Sequence, residues 1–294
     1  MEDSGRTWRN RQGQPQPLLT ILKAQGINAI RLRIWVQPAT PYNALTDVLA
    51  KARRAQAAGM RIMLDFHYAD SWADPGQQPK PRAWAGLAGR ALAGALHTYT
   101  RRTLDTLRQA GIAPAWVQVG NEASAGMVWP NGRLPDSLPT MAALVDTGYA
   151  AVKAVFPQAQ VIFHLDNGYN NPLYRYVLDG LARYRARFDV VGMSLYADAS
   201  NWQAYSQLCL SNARDIANRY GKPVCLVEVG MPQNQGPTCK QYIRGLLEGM
   251  ATLPNSQTQG VFYWEPQAYQ WRGYRLGAWQ DDGRPTEALE AFAP

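Results

Sequence analysis

Seven short runs of apolar and β-branched residues recur along this chain, and each leaves through a polar or Gly/Pro-rich loop into a segment of helical periodicity. They are INAIRLRIWV (27–36), MRIMLDF (60–66), AWVQVGN (115–121), QVIFHLD (160–166), FDVVGMSLY (188–196), PVCLVEV (223–229) and GVFYWEP (260–266). Between them, segments such as LTDVLAKARRAQAAGM (45–60), ALAGALHTYTRRTLDTLRQAG (91–111) and CKQYIRGLLEGMATL (239–253) repeat apolar residues at helical spacing. Strands that are apolar on both faces and alternate with helices need a parallel sheet covered by helices to bury both faces. The pattern predicts an α/β fold, a (β/α)8 TIM barrel, in one domain over 1–294.

Eight strands are expected of such a barrel. The stretch before Asn28 offers only MEDSGRTWRNRQGQPQP and then the helical PLLTILKAQG, with nothing that reads as a strand. The expectation is that the chain begins just after its first strand, with an open edge between the second strand and the eighth. On this reading Met1 is an internal methionine, and the natural protein is longer and starts with a signal peptide.

The net charge of +8 comes from 30 Lys and Arg against 22 Asp and Glu, with the arginines dispersed along helices rather than run together. That distribution argues for a solvated basic surface and against nucleic acid, although a basic enzyme could also favour an anionic matrix such as pectin. No apolar run approaches the roughly 20 residues of a membrane span, so no membrane partner is expected. Cys209, Cys225 and Cys239 lack metal-ligand spacing. Cys225 reads as core, whereas Cys209 and Cys239 sit in polar segments and are compatible with either a disulfide or two free thiols.

Two glutamates stand where Val-rich strands run out into polar loops: Glu122 in AWVQVGNEASAG and Glu228 in KPVCLVEVGMP. A carboxylate at the C-terminal tip of a parallel strand opens onto the face where barrel enzymes bind substrate. Retaining glycoside hydrolysis needs two of them, one to protonate the leaving oxygen and one to attack the anomeric carbon, about 5 Å apart. Counted from the absent first strand, Glu122 and Glu228 end the fourth and the seventh. Asn121 is the residue type that hydrogen-bonds a sugar 2-hydroxyl as charge develops. Asp65, His67 and Asp70 leave their strand together with Trp72 and are candidate substrate contacts; as ligand types they are too dispersed to predict a metal. His164, Asp166 and Asn167 could orient sugar hydroxyls, with a core histidine as the alternative for His164. Trp264 ends the last strand, where an indole face can stack on a sugar ring, and Trp84 and Trp129 are further platform candidates.

The segments GINAIRLRIWVQP (26–38), LDFHYADSWADPGQQPKPRAW (64–84), VQVGNEASAGMVWPNG (117–132), HLDNGY (164–169) and GVFYWEP closely resemble glycoside hydrolase family 53, the endo-β-1,4-galactanases. The resemblance covers nearly the whole chain. It implies a retaining enzyme with Glu122 as acid/base and Glu228 as nucleophile, acting without a cofactor on β-1,4-galactan or arabinogalactan as a secreted or periplasmic monomer. It also implies that His67 and Asp70 line the sugar-binding wall, that the Tyr196 hydroxyl steadies the nucleophile, and that Glu265 supports the site from behind. Arg33 is the natural cation beside the nucleophile. Arg31, on the same strand face, reads equally as a structural ion pair or as a site contact.

The chain departs from the family pattern at Ala197, where a Pro is usual, and at Leu195, where an aromatic adjoins. The loop after Glu228 has no Asp or Glu before Glu248, so no calcium is expected there. Two alternatives stay open: a related barrel acting on mannan or glucan, and a carbohydrate-binding barrel that has lost catalysis.

Overall fold

The computed structural model describes residues 5–253 and 258–293. In chain order its elements begin with α1 (Leu18–Ala24), β1 (Ala29–Ile34), α2 (Leu45–Ala57), β2 (Arg61–Phe66), α3 (Gly89–Gln109) and β3 (Trp116–Val119). A small hairpin follows, β4 (Gly126–Met127) and β5 (Gly132–Arg133), and then α4 (Leu138–Val155), β6 (Gln160–Leu165), α5 (Asn171–Arg183) and β7 (Val190–Tyr196). The series closes with α6 (Trp202–Tyr220), β8 (Val224–Gly230), α7 (Gly236–Ala251) and β9 (Thr258–Tyr263). All seven runs read as strands are strands. The helix-like segments are helices within a few residues at each end.

The chain divides into two compact units. The first comprises Ala29–Asp166 and Asn171–Met193. Here β1, β2, β3, β6 and β7 pair in that order, every pair parallel, with registers such as Arg33↔Asp65, Asp65↔Gln118, Gln118↔Ile162 and His164↔Gly192. Parallel neighbours require a crossover, and helices α2, α3, α4 and α5 supply one each. β2, β3 and β6 are buried almost end to end, as strands covered on both faces must be. Gly148 lets α4 lie close on β3: a Cβ there would stand 2.5 Å from Val119 Cγ1. That close approach fixes the end of the strand leading to Glu122.

The second unit comprises Met1–Asn28, Asn167–Asn170 and Ser194–Pro294. In it β8 pairs parallel with β9, with two register irregularities, and the end of β7 joins through Ala197 N–H, which donates to Gly230 O at 3.3 Å. Before α1, the described residues 5–17 form no strand. They make an isolated bridge, Arg9↔Pro15, and tie to the loop after β9: Trp8 Nε1–H donates to Gln267 O at 3.0 Å, and Tyr269 O–H donates to Thr7 O at 2.8 Å.

Seven parallel strands alternating with helices are the make-up of a (β/α)8 barrel with one strand absent among the described residues. Among the described residues, β1 and β9 each pair on one side only. Both stay partly accessible along most of their length, as edge strands do. No helix among the described residues is long and apolar enough to cross a membrane.

All three cysteines are free thiols and buried. Cys209 and Cys239, expected in polar segments, lie on the inward faces of α6 and α7. Burial pushes both thiols up to about 12.

Candidate active site

The site residues of the first unit are built on alternation. Arg31 and Arg33 are two apart on β1, so their side chains leave the same face of the strand. Arg31 is almost wholly enclosed and is held from three sides: Nη2 donates to Asp65 Oδ2 at 2.9 Å and to Asn121 Oδ1 at 2.9 Å, and Nε–H donates to Gln118 Oε1 at 3.0 Å. The structural ion pair read for Arg31 is present, with Asp65 as its partner.

Asp65 is 0% exposed and collects Arg31, His67 Nε2 at 3.0 Å and Gln118 Nε2 at 2.7 Å. Burial alone would raise its pKa, but the charges of Arg31 and Arg33, with the hydrogen bond from His67, outweigh it and hold the carboxyl below the usual carboxylate range. Ala73 N–H donates to His67 Nδ1 at 3.2 Å, which assigns the ring proton to Nε2, facing Asp65. Asp65 therefore orients His67 and Arg31 and lies below any surface a sugar could reach.

At the end of β3 the chain turns sharply, with Gly120 at φ +82° and Glu122 at φ +44°. A left-handed backbone is natural for glycine and strained for glutamate. Several bonds hold the turn. Asn121 Nδ2 donates to Ala73 O at 2.8 Å, Gln78 Nε2 donates to Asn121 O at 2.8 Å, and Glu122 N–H donates to His164 Nδ1 at 3.3 Å. Gln118 Nε2 and Asn121 Oδ1 also lie 3.1 and 3.0 Å from that nitrogen, so the ring is enclosed by polar contacts. Burial first, then the positive charge of Arg31, pushes its pKa well below the ordinary value of 6.5, so the ring is neutral. The core reading of His164 holds. It is completely enclosed and supports Glu122 from behind.

Asp166 follows β6 and accepts a hydrogen bond from the Ser124 hydroxyl, two residues past Glu122. Burial raises its pKa to about 6. An aromatic group lies beyond β1 and β2, with Trp35 and Trp72 rings 5.5 Å apart and edge-on, and the Arg33 guanidinium 4.3 Å from the Trp72 centroid. Trp72 is 43% exposed, the form a sugar platform takes. Asp70, read as part of the sugar-binding wall, clips loops together: it accepts from Gln37 N–H at 2.9 Å and from Arg82 N–H at 3.0 Å. Trp84, read as a platform, is 6% exposed and packs on Tyr68 and Tyr99, so it belongs to the core. Trp129 is half-buried, its Nε1–H donated to Ala125 O at 3.0 Å and its ring covered by Arg133.

In the second unit Glu228 is 3% exposed near the C-terminal end of β8. Tyr196, the last residue of β7, donates its hydroxyl to Glu228 Oε2 at 2.7 Å. The ring fits because residue 230 is glycine: a Cβ there would meet Tyr196 Cε1 at 3.0 Å. Trp264 follows β9 and is half-buried, its N–H donated to Val229 O at 2.9 Å. Next to it Glu265, at φ +45°, accepts a hydrogen bond from Gln267. Asn167 is exposed at φ +49° and accepts from Tyr169 O–H at 3.0 Å, and Tyr169 in turn stacks on Tyr205.

Gln78, Gln118 and Ser124 were not read as site residues. Gln118 carried a signal, a polar side chain between two valines in a buried strand. Gln78 and Ser124 carried none.

The glycosyl hydrolase family 53 model matches residues 1–292. A probable arabinogalactan endo-β-1,4-galactanase A of Aspergillus terreus is 35% identical, covering 90% of this chain and 82% of that protein. An arabinogalactan endo-β-1,4-galactanase of Thermothelomyces thermophilus is 34% identical over 90% and 85% of the two chains. Among solved structures, one from a study of two fungal β-1,4-galactanases superposes with a TM-score of 0.90 at 28% identity, covering 99% of this chain and 95% of that one. The family 53 catalytic domain of Ignisphaera aggregans superposes with a TM-score of 0.88 at 25% identity, covering 99% and 91%.

Proposed function

The chain belongs to glycosyl hydrolase family 53 and is a glycoside hydrolase, and from that premise we propose that it cleaves internal bonds of β-1,4-galactan and type I arabinogalactan with retention. Glu228 attacks the anomeric carbon, forming a C1–O ester as the bond from C1 to the leaving galactosyl oxygen breaks. Glu122 gives its proton to that oxygen. Water then attacks C1 while Glu122 takes back a proton, and the ester to Glu228 breaks. The observation that carries the reading is the Tyr196 hydroxyl on Glu228 Oε2 at 2.7 Å, which steadies an enclosed carboxylate at a strand end.

Beside Glu122 in sequence, Asn121 keeps a second Nδ2 hydrogen beyond the one given to Ala73, suited to a sugar hydroxyl. Trp72, Trp264, Trp129 and Asn167 are the proposed sugar contacts. Arg31, Asp65, His67 and His164 hold the contacts in place. A polymer of this kind does not enter a cell, which supports action outside the cytoplasm.

The test is hydrolysis of potato galactan by the purified chain beside Glu122→Ala and Glu228→Ala, with the anomer of the first product read by NMR. The expected result is a β product from the native chain, a loss of about 100- to 10,000-fold in Glu122→Ala, and no turnover in Glu228→Ala. Substantial galactan activity in either variant, or an α first product, defeats the proposal.

A further inference from the structure

Resting on Glu122 as the acid/base, we infer that Gln78 is the positioning residue that holds the Glu122 carboxyl in its working orientation. Glu122 sits on a left-handed backbone that its side chain disfavours, so something outside the turn has to hold it there. One buried amide is suited to that. Gln78 is 2% exposed, and its Nε2 reaches Asn121 O at 2.8 Å, Asp74 O at 3.2 Å and Glu122 O at 3.4 Å. Two of these carbonyls belong to the peptides on either side of the Glu122 Cα, so the amide fixes the direction in which the Cα–Cβ bond leaves the turn.

Gln78 is itself pinned. Its carbonyl accepts from Trp129 N–H at 2.7 Å, and Pro79 bridges to Trp129, whose indole N–H returns to Ala125 O at 3.0 Å. The loop carrying Gln78 and the loop carrying Glu122 are thereby closed on each other from both sides. The Gln78 Oε1 accepts no hydrogen bond from the described residues, so it is the donor half of the amide that the turn uses. A side chain without that donor leaves the Asn121 and Glu122 carbonyls without it, and the turn can rotate away from its strained conformation. Proton transfer is the step most sensitive to such a rotation.

The test compares Gln78→Met and Gln78→Glu with the native chain and Glu122→Ala on two substrates. One is galactan, whose leaving sugar needs a proton. The other is a dinitrophenyl β-1,4-galactobioside, whose leaving group does not. Gln78→Met is expected to lose about 10- to 100-fold in kcat on galactan. Its KM on galactan and its kcat/KM on the aryl glycoside should stay within about threefold of native. Azide should yield β-galactosyl azide with both Gln78 variants, as with Glu122→Ala, and native-like thermal midpoints would exclude general unfolding. Equal losses on the two substrates, or galactan turnover within about twofold of native, overturn the inference. If Glu122→Ala is inactive on galactan while Gln78→Met is unimpaired, only the role of Gln78 falls. If Glu122→Ala keeps its galactan activity, the functional reading falls with it.

Discussion

Replacing Asp65 with asparagine isolates the charge network under the Glu122 turn. Asp65→Asn keeps the shape of the side chain, removes its charge, and turns an amide donor toward groups that already donate. Three donors meet the native carboxylate, at 2.9, 3.0 and 2.7 Å, and the Arg31 side chain is only 4% exposed. The variant therefore leaves a guanidinium buried without its counter-charge. Breaking a buried pair from one side costs about 3–5 kcal/mol, against a total stability on the order of 5–15 kcal/mol for a folded protein. Equilibrium urea unfolding at pH 7 should show that loss. A loss below about 1 kcal/mol, the scale of a surface pair, would refute the network as described.

The pH dependence follows from the depressed pKa of Asp65. A carboxyl bound more weakly by protons in the folded chain contributes its full stability above the unfolded pKa of about 4 and loses it as pH falls through the folded value. The gap between native and Asp65→Asn should therefore be constant from neutral pH down to about pH 4 and close below it. The double variant Arg31→Met, Asp65→Leu should regain most of the stability, because an apolar pair of similar volume replaces a buried ion pair at little net cost. Activity should not return with it, since Asn121 Oδ1 has lost the Arg31 donor and His67 its anchor.

Three other outcomes follow from the same coordinates. Trp84→Ala should cost about 3–5 kcal/mol in urea unfolding as a buried aromatic is removed, whereas Trp72→Ala should leave stability within about 0.5 kcal/mol and raise KM on galactan. Tyr196→Phe removes a charge-assisted hydrogen bond to Glu228, and kcat should fall by about 10- to 100-fold, equivalent to roughly 1.5–3 kcal/mol, with the midpoint of thermal unfolding little changed. Asp166, whose pKa is raised to about 6, penalises the fold once ionised. The penalty begins near pH 4, where the unfolded chain ionises, and is full above pH 6, so Asp166→Asn should be stabilising by about 1–2 kcal/mol at pH 8, allowing for solvent at the site, and neutral at pH 3.

What the sequence discloses is what chain periodicity controls. A strand such as Trp116–Val119 announces itself by its apolar run, and its end places Glu122 at a loop whatever the rest of the chain does. The inward face of α7 was equally legible: Cys239, Tyr242, Ile243 and Leu246 recur at helical spacing, and reading Cys239 by its polar neighbours alone missed it. Trp84 was not legible in the same way, because core and platform use the same residue, and the choice depends on Tyr68 and Tyr99 arriving from elsewhere. The least legible feature is the backbone after the strands. Tyr68, Glu122, Asn167 and Glu265 follow β2, β3, β6 and β9 within three residues, and all four have positive φ. Only asparagine among these residue types favours that conformation. Each left-handed site costs about 1–3 kcal/mol unless its surroundings enforce it. Glycine would remove the strain but would also remove a phenol, a carboxylate or an amide from the end of its strand. The side chains are kept at these positions, and the strain is offset by distant partners: Thr100 for the Tyr68 hydroxyl, and Gln78 and His164 for the Glu122 turn. Those partners are 32 to 44 residues away in sequence, beyond the reach of any local pattern.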